Sequence, residues 1–137
     1  MKYIVYMSTS VRLLSDAELK TLLEQCRENN QQNELTGMLL YSDGTFVQVL
    51  EGDEIDVDGT YAKIMEDDRH KNIIKLDERE LEARLFPAWS MGFRHINTQS
   101  MEEFNGYINP NDRSQWLNKT DHPAVYILKT FVETNRF

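Results

Sequence analysis

A few polar side chains fall at positions where the sequence pattern predicts a hydrophobic core. Gln48 is the single amide in the apolar run 46–50, and Asn29 and Asn30 continue the inward stripe of a predicted helix. Tyr6 lies in another apolar run near the N-terminus. A buried amide without a partner costs about 1–3 kcal/mol, so these groups require polar partners. The spacing predicts a ligand pocket with a polar floor, and it leaves the identity of the ligand open.

The other candidate residues each have an ordinary structural explanation as well. Trp89 and Met91 share a face of a predicted strand, where an aromatic ring and a thioether are common core groups. Arg69 and His70 follow a predicted helix and could simply complement its dipole. The two asparagines also suit a helix C-terminus, and Tyr6 alone could be a core aromatic. Spacing alone does not separate a ligand pocket from a packed core.

Three motifs that would indicate other chemistry are incomplete or absent from the sequence. Residues 54–59 resemble the start of a calcium-binding loop, but Met65 occupies the twelfth position, where the loop requires a bidentate glutamate. His70, His95 and His122 lack partners at zinc-ligand spacing. The sequence also contains no glycine-rich phosphate loop and no paired nucleophile and base. We therefore expect neither a metal site nor an enzyme active site.

The order of predicted strands and helices defines the fold class. We predict strands at 2–7, 35–41, 45–51, 73–76 and 86–95, and helices at 15–30, 53–67, 101–104 and from residue 121. This order is that of an α+β ferredoxin-like sandwich, βαββαββ, in which one strand is added to the basic pattern. Two helices should cover one face of the sheet, and the C-terminal helices should pack on the other.

Local signals support these elements and place the candidate residues on them. Residues 15–18 form a capping-box pattern at the start of the first helix, and Asp43-Gly44 suits a tight hairpin turn. The apolar stripe of the second helix should turn Met65 inward. In a ferredoxin-like sheet the first and third strands are central neighbours, so we expect Tyr6 and Gln48 to lie opposite each other.

Composition limits the partners and the location of the protein. The chain has 137 residues and a formal net charge of −8, which disfavours nucleic acid because phosphate binding needs a basic stripe. No apolar stretch reaches the roughly 20 residues that span a membrane, and no signal peptide is evident, so we expect a cytoplasmic protein without membrane association. Cys26 is expected to be a buried small hydrophobic residue. In a protein of this negative charge, a phosphate-bearing ligand would need a local group of cations, and Arg69-His70-Lys71 provides one.

Several short motifs occur in a specific order between Tyr6 and Met91. They are Tyr6-Met-Ser8, Arg27-Glu-Asn29-Asn30, Leu35-Thr36-Gly37-Met-Leu-Leu-Tyr41, Phe46-Val-Gln48-Val-Leu-Glu51-Gly52, Asp68-Arg69-His70 and Phe86-Pro-Ala-Trp89-Ser90-Met91. Each motif is weak alone, but the ordered set is specific, and it resembles the BLUF family of blue-light sensors that use FAD. The resemblance implies a flavin-binding domain at residues 1–96, with residues 97–137 as a C-terminal helical cap of the same domain.

The resemblance implies a role for each candidate residue. Tyr6 would give an electron and a proton to the excited flavin, Gln48 would bridge Tyr6 to the flavin edge, and Asn30 would bind the carbonyl edge of the ring. Trp89 and Met91 would sense the state of Gln48. The other implied flavin contacts are Asn29, Phe46, Lys63, Ile64, Asp67, Arg69 and His70.

The implied function is that of a photoreceptor that binds FAD non-covalently and performs no turnover. Gly59 in the second helix and Lys63, where an arginine is expected, depart from the family pattern and leave FMN or riboflavin open as the bound flavin. Because the tail is too short for a catalytic domain, we expect signalling through a separate protein effector, and the family favours homo-oligomers. The rival functions are a small acylphosphatase-like hydrolase and a light-indifferent regulatory interaction module. The hydrolase would need an arginine and an asparagine that converge on a phosphate, and no such loop follows the first strand.

Overall fold

The computed structural model describes residues 1–86, 92–95 and 123–134 of the chain. The strands in these ranges are β1 (Lys2–Ser10), β2 (Thr36–Ser42), β3 (Thr45–Gly52), β4 (His70–Glu80) and β5 (Gly92–His95). The helices are α1 (Asp16–Gln32), α2 (Glu54–Glu66) and α3 (Pro123–Thr134). Among these described helices, none has the length and apolar character to cross a membrane.

The strands form one five-stranded sheet in the order β4-β1-β3-β2-β5. β1 pairs antiparallel with both β3 and β4, and β2 pairs antiparallel with β3. β5 joins the other edge of β2 in the parallel direction. The first four strands therefore have the ferredoxin-like order predicted from the sequence, with β5 as the added strand, and the predicted fold class is confirmed.

A tight turn sets the register of β2 against β3. Asp43 and Gly44 have φ angles of 44° and 90°, and positive values at both positions are typical of a two-residue hairpin turn. The register places Gln48 of β3 opposite Leu39 on one side and Tyr6 on the other. Because side chains alternate along a strand, this register decides which residues face the helices.

α1 begins at the capping box that the sequence predicts. The Ser15 hydroxyl accepts a hydrogen bond from the Glu18 N–H at 3.2 Å, and the Glu18 carboxylate accepts from the Ser15 N–H at 3.2 Å. Leu19 and Leu23 are buried, and the same helix buries Asn30 in its last turn. The helix therefore carries an amide into the interior near its C-terminal end.

The sheet separates two hydrophobic cores. The first, which we call the helix-pair core, lies between the sheet and the helices α1 and α2, and it includes Ile4 and Tyr6. The second, the α3 core, contains Tyr3 and Val5 together with Leu128 of α3. Successive residues of β1 thus enter opposite cores. The prediction that α1 and α2 share one face and that the last helix covers the other is confirmed.

The inner face of α2 differs from the sequence prediction at Met65, which is 58% exposed. Val57, Thr60 and Tyr61 are the buried residues of this helix, and Ile64 packs partly against the helix-pair core. Met65 follows Ile64 and is rotated about 100° from it around the helix axis, which takes its side chain out of the interface.

The strand predicted to begin at Phe86 does not include that residue. Phe86 lies in an irregular segment, because its N–H donates to the Glu51 carboxylate and not to a neighbouring strand. β5 is described over Gly92–His95. Trp89, Met91, the predicted helix at 101–104 and the predicted helix start at residue 121 lie outside the described residues.

Alanine substitutions at two glycines should change the stability of the protein in opposite directions. Gly52 ends β3 with a φ of +155°, and a Cβ atom there would come within 2.6 Å of Leu35 Cδ2, whereas a Cβ at Gly59 in α2 would meet nothing within 4 Å. We expect Gly52→Ala to lower the free energy of unfolding by about 1–3 kcal/mol. Gly59→Ala should raise it by about 0.5–1 kcal/mol, because alanine is the better helix former. Urea titration of both variants measures these changes, and the reverse order would contradict the backbone described here.

Candidate functional site

A cavity of about 600 Å³ lies between α1 and α2 above the central strands. Small-molecule sites have volumes of about 300–1,000 Å³. The described residues that the sequence nominates as ligand contacts all line this cavity. The sheet contributes Tyr6, Phe46, Gln48 and His70, α1 contributes Asn29 and Asn30, and α2 with the turn that follows it contributes Lys63, Ile64, Asp67 and Arg69. Trp89 and Met91, nominated as relay residues, lie outside the described residues.

Tyr6 and Gln48 form the polar floor of the cavity. They are direct cross-strand partners in the β1–β3 ladder, as predicted, because both strands turn their even-numbered residues toward the helices. The Tyr6 hydroxyl donates a hydrogen bond to Gln48 Oε1. The two residues are 4% and 3% exposed, so this bond is shielded from bulk water. The NH₂ group of Gln48 lies at the other end of the carboxamide from this bond.

Burial controls the protonation of Tyr6. Loss of hydration raises the pKa of the Tyr6 phenol well above its ordinary value, and the nearby Cys26, Tyr61 and Asp67 raise it further. The phenol is therefore protonated at neutral pH, where it can donate to Gln48. The Tyr61 ring packs against the Tyr6 ring, with 5.7 Å between centroids and 54° between planes.

The two asparagines of α1 differ in their surroundings. Asn30 is 2% exposed, whereas Asn29 is only partly buried. The Asn29 side-chain oxygen accepts from the Asn33 amide at 3.3 Å, within the end of the helix. The Asn30 backbone carbonyl accepts from the Leu35 N–H at 2.8 Å, which fixes the chain where α1 leads into β2. Asn30 is consequently the asparagine whose side chain is held in the buried wall.

His70 connects three elements at the edge of the cavity. Its Nε2–H donates to the carbonyl oxygen of Ile64 in α2 at 2.7 Å, and its Nδ1 lies 2.8 Å from the Ser8 hydroxyl on β1. Nε2 must carry a proton, because a carbonyl oxygen only accepts. The ring stands edge-on to Tyr6, with 6.3 Å between centroids. Both ring nitrogens are thus bonded within the protein, and His70 stabilises the surroundings of Tyr6.

Two arginines lie along the cavity wall, and each pairs with an acid. Arg69 Nε donates to Asp67 Oδ1 at 2.9 Å, and Arg69 Nη1 donates to the side chain of Gln25 on α1 at 2.7 Å. The Arg69 guanidinium holds the pKa of Asp67 below its usual range. Arg12, in the loop after β1, forms a bidentate contact with Glu18 and lowers the pKa of that carboxyl to about 2.

The cations at this cavity differ from those expected from the sequence. Arg12, in the loop after the first strand, lines the cavity but was not among the candidates. The sequence signal for this arginine is Glu18, an acid of the capping box that follows Arg12 by six residues and can pair with it. Lys71 does not line the cavity, because strand alternation turns it away from the face that presents His70. Lys63 lines the cavity and forms no ion pair within the described part of the chain.

The remaining walls are mostly apolar and include Leu22, Leu39 and Ile64. Cys26 lines the cavity and is only partly buried, not fully buried as expected. Desolvation still raises the pKa of its thiol to about 11, so the thiol is neutral and belongs to this apolar lining. No cluster of potential metal ligands occurs among the residues that the structure describes. The arrangement fits a largely apolar ligand whose donors and acceptors meet the few polar groups of the cavity.

The sequence matches the family described as sensors of blue-light using FAD (BLUF) over residues 1–92. A photoactivated adenylate cyclase subunit beta from Euglena longa is 33% identical over 89 residues, which are 64% of this chain and 10% of that protein. The structure of a bacterial light-regulated adenylyl cyclase is 34% identical and has a TM-score of 0.66, covering 97% of this chain and 34% of that one. The structure of BlsA in its photo-activated state is 27% identical and has a TM-score of 0.67, covering 98% of this chain and 93% of that one.

The match to the family coincides with the part of the chain that forms the cavity. This chain spans about a tenth of the Euglena protein and about a third of the bacterial cyclase, so the activities of those whole proteins are not transferred to it. Residues 1–92 contain β1 to β4, α1, α2 and the described residues that line the cavity. The chain therefore belongs to the BLUF family, the sensors of blue light that use FAD.

Proposed function

We propose that this chain is a photoreceptor that holds FAD non-covalently between α1 and α2 and signals by rearranging the hydrogen bonds of Gln48. The observation that carries the proposal is the bond from the protonated Tyr6 phenol to the Gln48 carboxamide on a water-shielded cavity floor. A phenol can release an electron and a proton, and a carboxamide presents a donor at one end and an acceptor at the other. Together they form a switch that is not consumed when it acts.

The polar groups of the cavity fit the edge of a flavin ring. An isoalloxazine carries acceptors at N5 and at its carbonyl oxygens and a donor at N3. Asn30 and Gln48 each supply an amide that can both donate and accept, and they reach the cavity from α1 and from β3. In this proposal Asn30 anchors the carbonyl edge, Gln48 serves the N5 edge, and Phe46 and Ile64 contact the flat faces of the ring.

Bound flavin supplies the absorption of blue light and an acceptor for one electron. Tyr6 is the donor in the chain, because a phenol that loses an electron becomes strongly acidic and its proton can pass along the existing hydrogen bond to Gln48 Oε1. The protonated oxygen no longer accepts from Tyr6, so the amide rotates, or it becomes the imidic acid tautomer if its nitrogen passes a proton to an acceptor that bound flavin would supply. Gln48 then presents a different donor and acceptor pattern to the cavity. The electron and a proton then return to Tyr6, so the lit state differs from the dark state only in the arrangement of the Gln48 amide, which reverts in the dark.

The phosphate part of FAD is proposed to extend along the charged wall. Lys63 is the cation there that forms no ion pair with the described residues, whereas Arg12 and Arg69 would have to exchange Glu18 or Asp67 for a phosphate oxygen. The ring of His70 would face the ligand through its carbon atoms, since both nitrogens are already bonded. Riboflavin would satisfy the same ring-binding groups without these exchanges, and FMN would bring a single phosphate to the same wall.

The proposed output is a change passed through the sheet to a separate protein effector, from a homo-oligomer in the cytoplasm. Trp89 and Met91 are proposed to sense Gln48 because they directly precede β5, which lies beside β2 at the sheet edge. α3 packs on the sheet face opposite the cavity, where a change in the sheet would reach it.

A sensor role is favoured over hydrolysis by the placement of Arg12 and Asn30. An acylphosphatase-like site would need an arginine and an asparagine that converge on one phosphate. Arg12 is held by Glu18 in the first turn of α1, whereas Asn30 lies near the end of that helix. The helix separates these positions by about 18 Å. The guanidinium therefore does not meet the amide.

Absorption spectroscopy of the purified chain loaded with FAD tests this function. We expect a yellow protein whose flavin absorption shifts toward the red under blue light and returns in the dark, because Gln48 presents a new donor to the flavin carbonyl in the lit state. Spectra recorded before, during and after illumination measure the shift. A protein that takes up no flavin would contradict the proposal. A flavin-loaded protein with a fixed spectrum would indicate the light-indifferent regulatory module.

A further inference from the structure

Glu51 is a buried acid that takes no part in the cavity. It is the penultimate residue of β3, and alternation along the strand turns its side chain to the face opposite Gln48. The residue is 0% exposed. Burying a carboxylate is unfavourable unless hydrogen bonds replace the water that it loses, so its surroundings show what the acid holds.

Three donors replace the water around Glu51. The hydroxyl of Thr36, its cross-strand partner on β2, donates to Oε1 at 2.7 Å. The Leu85 N–H donates to Oε2 at 2.8 Å, and the Phe86 N–H donates to Oε1 at 2.7 Å. One carboxylate thus holds two successive backbone N–H groups in a segment that is neither strand nor helix. We call this arrangement the Glu51 clamp.

Arg84 fastens the same segment through its side chain. Its Nη1 donates to the Thr36 hydroxyl at 3.0 Å and to the Glu51 backbone carbonyl at 3.3 Å. Its Nη2 donates to the Glu34 carbonyl at 2.6 Å. The side chains of the next two residues are buried in the α3 core. Residues 84–86 are consequently tied to β2 and β3 by backbone, polar side chain and apolar packing together.

The Glu51 clamp lies on the same strand as Gln48 and joins the end of β3 to the start of β2 at Thr36. Gln48 and Glu51 are about 10 Å apart along β3. From Phe86 the chain leads through residues 87–91 to β5, which pairs with β2. A shift of β3 that accompanies a change at Gln48 would move the Glu51 carboxylate, the two N–H groups it holds and the start of the connection to β5. The α3 core would receive the same shift through the side chains of residues 85 and 86.

On the basis of the function proposed above, we infer that Glu51 is a positioning residue that couples the photochemical site to β5 and α3 by clamping the backbone at Leu85 and Phe86. A hydrocarbon side chain could fill the same volume, but it would hold neither N–H group. A carboxylate accepts at both oxygens, so it satisfies two N–H groups and a hydroxyl at once.

Hydrogen exchange of the FAD-loaded chain in the dark and under blue light tests this coupling in Glu51→Gln. The amide keeps the size of the side chain but replaces one oxygen by a donor, so the clamp loses part of its hold on the backbone. We expect the reversible absorption shift to persist, while the light-minus-dark difference in exchange at β5 falls about five-fold. Glu82→Gln makes the same change at an exposed acid nearby and should leave both measurements as in the parent chain.

A purely structural role for Glu51 gives a different result. Exchange would then rise equally in the dark and in the light, and the difference at β5 would survive in Glu51→Gln; with the absorption shift present, that outcome overturns the coupling role alone. A parent chain without a reversible shift overturns the proposed function and the coupling role with it. If Glu51→Gln does not fold, Glu51→Asp keeps the charge but withdraws the carboxylate by one methylene. The same loss of the light-minus-dark difference is expected there, and its preservation overturns the inference.

Discussion

Gln48→Leu is expected to leave a flavin-binding protein whose spectrum no longer responds reversibly to blue light. Leucine keeps the cavity floor filled but removes both the donor and the acceptor end of the amide. Loss of a hydrogen bond of this kind costs about 0.5–1.5 kcal/mol, so flavin affinity should fall by about ten-fold or less and loading should persist in excess flavin. The red shift should disappear completely, because the carboxamide that exchanges a donor for an acceptor is gone.

Light-minus-dark absorption spectra of Gln48→Leu measure this result, and Gln25→Leu is the matched control. Gln25 also lines the cavity, but it is exposed and bonded to Arg69 on the α1 side. The same chemical change at that position should leave the parent spectrum and its reversible shift. A parent-like shift in Gln48→Leu would show that another group is the switch.

Tyr6→Phe is expected to reduce the rate of forming the red-shifted state by roughly two orders of magnitude or more, the usual effect of removing a positioned proton-transfer group. Phenylalanine retains the ring contacts with Tyr61 and His70. It lacks the hydroxyl that donates to Gln48 Oε1, and its ring releases an electron far less readily than a phenol. The yield of the red-shifted state per light dose measures the effect. Flavin fluorescence should live longer in the same variant, because its quencher is gone.

Tyr61→Phe controls for the removal of a phenol close to the site. Its ring lies 5.7 Å from that of Tyr6, but Tyr61 does not line the cavity and is not bonded to Gln48. A normal yield is expected in this variant. A normal yield in Tyr6→Phe, or an equal loss in both variants, would remove Tyr6 from the role of specific donor.

The central pair of the site could be predicted because it follows from local patterns. Alternation of apolar residues along β1 and β3 decides that Tyr6 and Gln48 face the same side. The turn at Asp43-Gly44 fixes the register of β3, and the order of strands and helices makes β1 and β3 neighbours. These signals act over a few residues, and they agree with each other, so the cross-strand contact follows from the sequence.

The contacts that could not be predicted depend on side-chain direction over long sequence separations. Glu51 meets Leu85 and Phe86, which are 34 and 35 residues away, and no spacing rule connects such positions. His70 is placed correctly at the cavity, but the sequence does not show that both of its nitrogens are bonded within the protein. Arg12 lies in an irregular loop, where periodicity gives no direction to the side chain, so its six-residue spacing from Glu18 indicates the ion pair but not its place at the cavity.

The division of the interior by a single sheet bears on how a domain of this kind can be reused in evolution. Val47 and Val49 of β3 pack toward α3, whereas their neighbour Phe46 packs toward the pigment cavity. Substitutions on the α3 side of the sheet can therefore change what associates there without altering the residues that line the cavity. A domain built in this way can be joined to different output domains. In keeping with this, the matched segment makes up only 10% of the Euglena relative.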